Sequence, residues 1–346
     1  MGVTVEAAKN AARSWIEAEG RHTPALHGAF FHGSINDLPD DAVLSPSSDV
    51  DVMLVVEDAS GQKPGKFVYN DVLLEVSLLE PGALASASAV LANYHLAPSF
   101  RRNGIIADPT GQLTALQTIV GSQFARREWV TERMKHAQNN ALSFAQSVSE
   151  AKTWDEQVAS WLFACGVTTH VLLVAGLRNP TVRKRYALAK TLLEDYGRAN
   201  FYPELLTLLG CDRMTPELAT LHLAAVAGAF DAASAAKQTP FPFWADISNN
   251  TRPVAIGGSG EMITQKLHRE AIFWMLATYC RCIGVLRRDA SPDIQAYHGA
   301  GFQEFLNDLG IASYTDLLQR ANDVHVFLPR VWEVAQEIRD ANREVE

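Results

Sequence analysis

The sequence has few cysteines, no excess of positive charge and no unbroken apolar run long enough to suggest a membrane span. Its 346 residues include four cysteines, whose irregular spacing predicts buried free thiols rather than disulfides or a zinc site. The 30 basic residues are outnumbered by 39 acidic ones, which argues against nucleic acid as a partner. We therefore expect a cytoplasmic protein that binds neither nucleic acid nor a membrane.

The acidic residues are concentrated in the first third of the chain. Residues 1–112 contain 7 Lys and Arg against 14 Asp and Glu, whereas the rest of the chain is nearly balanced, with 23 against 25. An acidic excess of this kind favours a cationic ligand, or one bridged by a metal ion, in the first part of the protein.

The hydrophobic pattern changes at the same place. Before it, a helical pattern is followed by short β-branched or apolar segments typical of strands, at 4–19 for the helix and at 26–31, 50–56, 67–69 and 72–79 for the strands. After it the pattern is helical. We therefore predict an α+β fold, in which residues 1–112 form a small mixed sheet with flanking helices and residues 113–346 form an all-helical bundle.

Within the helical part, several boundaries can be predicted from capping residues. Asn179-Pro180, Thr215-Pro216 and Ser313 are each typical of a helix start. The glycine-rich segment 257–260 is expected to precede one long helix over residues 261–288.

Two aspartates stand at the start of the strand predicted over residues 50–56. Asp49 and Asp51 are two residues apart, so their side chains project from the same face of that strand. Like charges this close repel each other unless a cation lies between them, and carboxylates on a rigid strand suit Mg²⁺. Glu75, on a neighbouring strand, is the expected third acid. Asp71 is the alternative, although Asn70-Asp71 is typical of a turn.

Gly33 and Ser34 end the strand that precedes this pair. Glycine allows a phosphate to approach the backbone, and serine adds a hydroxyl group at a turn into a short helix. The combination predicts a triphosphate site beside the carboxylates. We include Ser48, which directly precedes Asp49, among the nucleotide-binding residues.

The pattern resembles the DNA polymerase β-like nucleotidyltransferase superfamily, and is most similar to the bacterial aminoglycoside and lincosamide nucleotidyltransferases. The likeness consists of Gly33-Ser34 at a strand-to-helix turn, two alternating aspartates opening the next strand, and a third acid on a later strand, all within residues 26–80. In those enzymes a domain of this kind precedes a helical bundle. The resemblance implies that Gly33 and Ser34 hold the β- and γ-phosphates, that Asp49 and Asp51 bind Mg²⁺, and that Glu75 is the third acid.

The resemblance also implies an activity. The enzyme would transfer a nucleoside monophosphate from a nucleoside triphosphate, with ATP as the preferred donor, to a hydroxyl group of a small acceptor such as an aminoglycoside, releasing pyrophosphate. A cation from the helical part would reach the triphosphate, and Arg183 and Lys190, seven residues apart on one predicted helix face, are the candidates. The alternative is a non-catalytic or toxin–antitoxin-like module of the same fold, which senses nucleotide or binds or modifies a protein partner.

Overall fold

A computed structural model shows a mixed α+β protein with one small sheet and many helices. The structure describes residues 2–23, 25–60, 63–241 and 243–346. The described strands are β1 (Leu26–His32), β2 (Val50–Val56), β3 (Gly65–Tyr69), β4 (Val72–Leu79) and β5 (Ile105–Ala107). The described helices are α1 (Val5–Ala18), α2 (Ala87–Ala92), α3 (Gln112–Gln123), α4 (Arg127–Ser147), α5 (Trp154–Ala175), α6 (Arg185–Asp195), α7 (Tyr202–Leu209), α8 (Pro216–Ala236), α9 (Gly258–Thr264), α10 (His268–Asp289), α11 (Pro292–Asp308) and α12 (Tyr314–Ala341).

The sheet is mixed, with the strand order β3-β4-β2-β1-β5. Strands β2 and β4 are parallel, whereas the other neighbouring pairs are antiparallel. The hairpin between β3 and β4 turns at Asn70 and Asp71, whose φ angles of 47° and 62° are those of a tight two-residue turn that Asn and Asp tolerate well. The strands predicted from the sequence are confirmed. Strand β5 was not predicted, because three partly buried residues give too short a pattern.

Both faces of the sheet are covered by helices. On one face, Ala8, Trp15 and their apolar neighbours on α1 pack against residues such as Val52 and Leu74. On the other face, α2 and α3 contribute to a second cluster around Phe30 and the β2 residue Val55. Successive residues along each strand therefore point into different cores, because side chains alternate between the two faces of a sheet.

The chain divides into two compact units. The first comprises Met1–His136, Leu177–Pro180 and Arg343–Glu346, and the second comprises Ala137–Gly176 and Thr181–Asn342. The predicted boundary after residue 112 falls inside the first unit, because α3 packs its apolar side, including Leu116 and Val120, against the sheet. Helix α4 spans the change from the first unit to the second.

The described elements of the second unit are helical. Helix α5 lies at its centre, where it packs against α6, α10 and α12. It begins with a capping box, in which Thr153 and Glu156 satisfy each other's backbone amides. The prediction that the four cysteines are buried free thiols is confirmed for Cys165, Cys211, Cys280 and Cys282.

Two predicted helix boundaries in this part of the chain are wrong. The helix expected from Asn179 begins only at Arg185, since the Asn179 side chain is engaged in the first unit and does not cap a helix. The helix expected over residues 261–288 is two helices, because α9 ends at Thr264 and Lys266 adopts a left-handed φ of 65°. No glycine or proline marks that break, so the sequence contains no signal for it.

Two helices are long and apolar enough to cross a membrane by length and composition, although none was expected. In α5, 83% of the most apolar 18-residue window is buried inside the protein, and in α8 the share is 33%. The core helix of a soluble protein passes the same test, so the two helices are weak evidence for a span.

Arg133, on α4, links three helices of the first unit. Its buried guanidinium donates hydrogen bonds to the carbonyl oxygens of Leu91 (3.0 Å) and Phe124 (2.6 Å) and lies 4.2 Å from the centroid of the Phe124 ring.

Replacing Arg133 with Met should lower the free energy of unfolding by about 2–5 kcal/mol, because two buried carbonyls lose their donors. Urea unfolding measures the effect. The exposed Arg126, replaced with Met, is the control and should change stability by less than about 0.5 kcal/mol; equal effects would contradict the assigned role.

Candidate functional site

Three carboxylates converge at one end of the sheet. Asp49 immediately precedes β2, Asp51 lies in β2, and Glu75 lies opposite Asp51 on the parallel strand β4. One oxygen from each carboxylate lies within 4.8 Å of the others. Within the part of the chain that the structure describes, no other set of three His, Cys, Asp or Glu side chains meets this spacing. Asp71, the alternative third acid, is placed in the hairpin turn.

The carboxylates belong to a polar row that crosses four strands. His32 pairs with Asp51, Asp51 with Glu75, and Glu75 with Lys66, so the four side chains share one face of the sheet. Farther along β1 and β2 the same face is apolar and is buried in the cluster that α2 and α3 complete. The polar row therefore lies at the end of a face whose remainder is core.

A lysine ammonium lies among the carboxylates. The Lys66 Nζ contacts Asp49 Oδ2 and lies 2.8 Å from Glu75 Oε2, and the lysine side chain is only 8% exposed. The Lys63 Nζ lies 3.7 Å from Glu75 Oε1, and its side chain is 32% exposed. Lys66 therefore bridges two carboxylates from inside the cluster, whereas Lys63 approaches one of them from its edge.

The surroundings of Asp51 oppose its negative charge. Burial raises the pKa of Asp51 well above its usual value, and the charges of Asp49 and Glu75 raise it further, against the opposing effect of Lys66. A side-chain hydrogen bond with Glu75 acts in the same direction as burial. Three converging carboxylates are a donor set that fits a hard divalent cation such as Mg²⁺.

Gly33 allows the first strand to turn directly beside Asp51. Its φ is 68°, and a Cβ at this position would lie 2.2 Å from Asp51 Oδ2. The Asn179 Nδ2 group holds the turn, since it donates to the Gly33 carbonyl oxygen (3.1 Å) and to Asp37 Oδ2 (2.8 Å). Ser34 lies exposed in the 3-10 turn that Gly33 opens. The glycine is therefore required both by its backbone conformation and by the space that Asp51 occupies.

Ser48 is half-buried next to the first aspartate. Its backbone N–H donates to the Ser45 carbonyl oxygen at 2.8 Å, which closes a turn just before β2. This turn delivers Asp49 to the start of the strand, and the Ser48 assignment to nucleotide binding stays a prediction.

His32 is a half-buried histidine at the end of the polar row. Its Nδ1 lies 2.7 Å from Ser99 Oγ. Burial lowers the pKa of His32 to about 4, although the charge of Glu75 acts in the opposite direction. The imidazole is therefore neutral near pH 7 and adds no positive charge to the carboxylate cluster.

The roles of His32, Lys66 and Asn179 were not predicted from the sequence. Lys66 can be placed beside Glu75 only when the hairpin register is known, and Asn179 is far from Gly33 in sequence. His32 did carry a signal, because it directly precedes Gly33 and ends an apolar strand that otherwise contains little polarity.

Arg183 and Lys190 lie in the second unit. They were predicted to share one helix face, but only Lys190 lies in a helix. Arg183 precedes α6; its Nη1 donates to the Val254 carbonyl oxygen at 3.2 Å, and its guanidinium lies against Gly258. The Lys190 Nζ lies 5.9 Å from the centroid of the Tyr202 ring. These contacts are internal to the second unit, so the assignment of either residue to the nucleotide stays a prediction.

Comparisons with known proteins do not place the chain in a family. No protein-family model matches the chain, and no curated protein is significantly similar to it. The interpretation of the site therefore depends on its residues and their geometry.

Gly33 and Gly111 form a matched pair for testing the turn beside Asp51. Both have left-handed φ angles, 68° and 74°, but a Cβ at Gly111 would meet nothing within 4 Å. Gly111→Ala should therefore cost only the backbone strain of about 1–2 kcal/mol, whereas Gly33→Ala should cost about 1–3 kcal/mol more. Urea unfolding measures both. In an Asp51→Ala background the excess should disappear, and an excess that persists would show that Asp51 is not the obstruction.

The low pKa of His32 predicts a loss of stability in acid. Between pH 6.5 and pH 4 the unfolded chain takes up a proton at this position that the folded protein does not, so stability falls as the pH falls. By pH 5 the loss is up to about 2 kcal/mol. Replacing His32 with Asn, which can keep the Ser99 contact, should remove that part of the loss.

Urea unfolding in EDTA at pH 7.5 and pH 5 measures this difference. His325, an exposed histidine in the second unit, supplies the control variant His325→Asn. Equal acid sensitivity of the wild type and the His32→Asn variant would show that His32 is not the responsible group.

Proposed function

We propose that the protein is a Mg²⁺-dependent nucleotidyltransferase, with a nucleotidyltransferase domain in the sheet-containing part of the chain and an all-helical region following it. The observation that carries the proposal is the convergence of Asp49, Asp51 and Glu75 from two adjacent parallel strands, directly beside the Gly33 turn. Rigid strands hold the oxygen donors, and the turn leaves room for backbone to approach a phosphate.

Asp49, Asp51 and Glu75 would hold the magnesium. When bound, Mg²⁺ would neutralise charge on the triphosphate and on the pyrophosphate leaving group, and would lower the pKa of the acceptor hydroxyl. The protein residues supply position and charge. The raised pKa of Asp51 opposes the carboxylate form that a cation needs, and the neutral His32 beside it introduces no competing positive charge.

The turn that follows β1 would receive the phosphates. Gly33 has no side chain to obstruct them, and the hydroxyl groups of Ser34 and Ser48 would donate to phosphate oxygens. Asn179 is a positioning residue for this turn, since its amide holds the Gly33 carbonyl and the Asp37 carboxylate together. A turn fixed in this way loses little conformational entropy when a ligand binds.

The donor would be a nucleoside triphosphate, with ATP preferred, and the acceptor a small molecule with a hydroxyl group. The acidic excess of residues 1–112 favours a cationic acceptor such as an aminoglycoside. The transfer would move the nucleoside monophosphate to the acceptor oxygen and release pyrophosphate.

One observation favours a second candidate function. Lys66 places a positive charge within the carboxylate cluster, as a site that no longer binds metal would also do. The second candidate is therefore a non-catalytic or toxin–antitoxin-like module of the same fold, which senses nucleotide or binds or modifies a protein partner.

Thermal unfolding with ATP, GTP, CTP and UTP, each with and without Mg²⁺, tests the proposal. We expect one nucleotide to raise the melting temperature only when Mg²⁺ is present. The shift should disappear in the Asp49→Asn/Asp51→Asn protein and in Glu75→Gln, because the metal ligands are lost. It should persist in Asp71→Asn, the matched control, since Asn suits the left-handed turn at that position.

The identified donor is then used in an assay of pyrophosphate release with a panel of hydroxyl acceptors. Asp49→Asn or Asp51→Asn should lower the rate by about 1000-fold or more, equivalent to about 4 kcal/mol of lost transition-state stabilisation. Full activity in either variant would remove the mechanism. A protein that shows no shift with any nucleotide would favour the non-catalytic candidate.

A further inference from the structure

The carboxylate cluster contains a cation of its own. The Lys66 ammonium contacts Asp49 Oδ2, just before β2, and Glu75 Oε2, on β4. The Lys66 side chain is 8% exposed, less than that of Asp49 (23%) or Glu75 (21%). It is therefore inside the cluster rather than on its rim.

We propose that the Lys66 ammonium is the resident counter-ion of this cluster, which a divalent cation must displace before it can bind. The inference builds on the proposed function, because it concerns how the same three carboxylates are loaded with metal. Lys66 thus controls the order in which metal and nucleotide bind.

Competition follows from the atoms involved. A hard divalent ion binds carboxylate oxygens directly at about 2.0–2.6 Å. The oxygens that Lys66 engages belong to two of the three carboxylates that would provide those bonds. Two cations sharing the same oxygens would repel each other strongly at low dielectric, so one must leave when the other enters.

The position of Lys66 allows it to leave. It lies near the start of β3, one of the two edge strands of the sheet, and its ammonium is carried on a flexible four-carbon stem. The displaced ammonium loses two carboxylate partners. A metal ion that arrives alone offers it no replacement, whereas a metal ion that arrives with a triphosphate brings phosphate oxygens.

The consequence is cooperative loading. Free divalent metal should bind the wild-type protein weakly, and a triphosphate should strengthen metal binding because it accepts the displaced ammonium. Without Lys66, the metal should bind tightly on its own.

Mn²⁺ alone is the probe for the first test, with free Mn²⁺ counted by electron paramagnetic resonance during titration of the full chain. Lys66→Met should bind Mn²⁺ at least about tenfold more tightly than the wild type, since removing the ammonium leaves the carboxylate charge uncompensated. Lys66→Arg, which keeps the charge, should remain weak. Adding Asp51→Asn to Lys66→Met should abolish the gain, which locates the gain at the cluster.

Lys63→Met is the matched control. It removes the same charge from a neighbouring lysine that approaches only Glu75, at 3.7 Å, and is more exposed. Its Mn²⁺ affinity should stay within about threefold of the wild type. An equal gain in Lys63→Met and Lys66→Met would reduce the effect to general electrostatics and overturn the proposal.

A second measurement uses the wild-type protein, so it decides the matter even where Lys66→Met fails to fold. Acetylation of lysines by a soluble ester is followed by mass spectrometry with and without saturating Mn²⁺. Labelling of Lys66 should be slow in the metal-free protein and should rise several-fold with Mn²⁺, whereas labelling of the already accessible Lys63 should change little. Unchanged Lys66 labelling in a protein that binds Mn²⁺ would overturn the proposal.

Failure of this inference is distinguishable from failure of the proposed function. Equal, measurable Mn²⁺ affinity in the wild type and Lys66→Met would overturn the counter-ion role and leave the metal site standing. If neither protein binds Mn²⁺, the three carboxylates are not a metal site, and both proposals are overturned.

Discussion

The parallel pairing of β2 with β4 is the constraint on which the site depends. It places Asp51 directly opposite Glu75, and the neighbouring strands extend the same row to His32 on one side and to Lys66 on the other. A slip of one residue in this register would turn the row into the opposite core, which α1 covers. The apolar residues that alternate with the acids therefore fix the position of the acids, because burying Val52 and Leu74 forces their neighbours onto the other face.

Concentrating charge at the end of a buried face has an energetic cost, and neighbouring side chains in the cluster reduce it. The pKa of Asp51 is raised, the ammonium of Lys66 lies between two carboxylates, and the imidazole of His32 stays neutral. These are three different ways of limiting net charge where water is scarce. Each of them responds to a change in the others, so the cluster behaves as one electrostatic unit rather than as separate residues.

Much of the sheet was predictable because its signals are local. Alternation located the strands, and Asn70-Asp71 indicated the hairpin turn, which together favoured Glu75 over Asp71 as the partner of the two aspartates. Other features depend on contacts between residues far apart in sequence. Lys66 lies beside Glu75 because of the register of the hairpin. Asn179 reaches Gly33 because a distant segment of the chain packs against the first unit. No short sequence pattern indicates either contact. The break after α9 was missed for a different reason, since its left-handed residue is Lys266 rather than glycine.

The path of the chain through its two compact units has a consequence for where it can be cut. The chain leaves the first unit after His136, returns for Leu177–Pro180, and returns again for Arg343–Glu346. One of these returns carries Asn179, the side chain that braces the turn at Gly33. Neither unit is therefore a continuous stretch of sequence. A chain cut after His136 would lack Asn179, so the first unit is complete only when both returning segments are present.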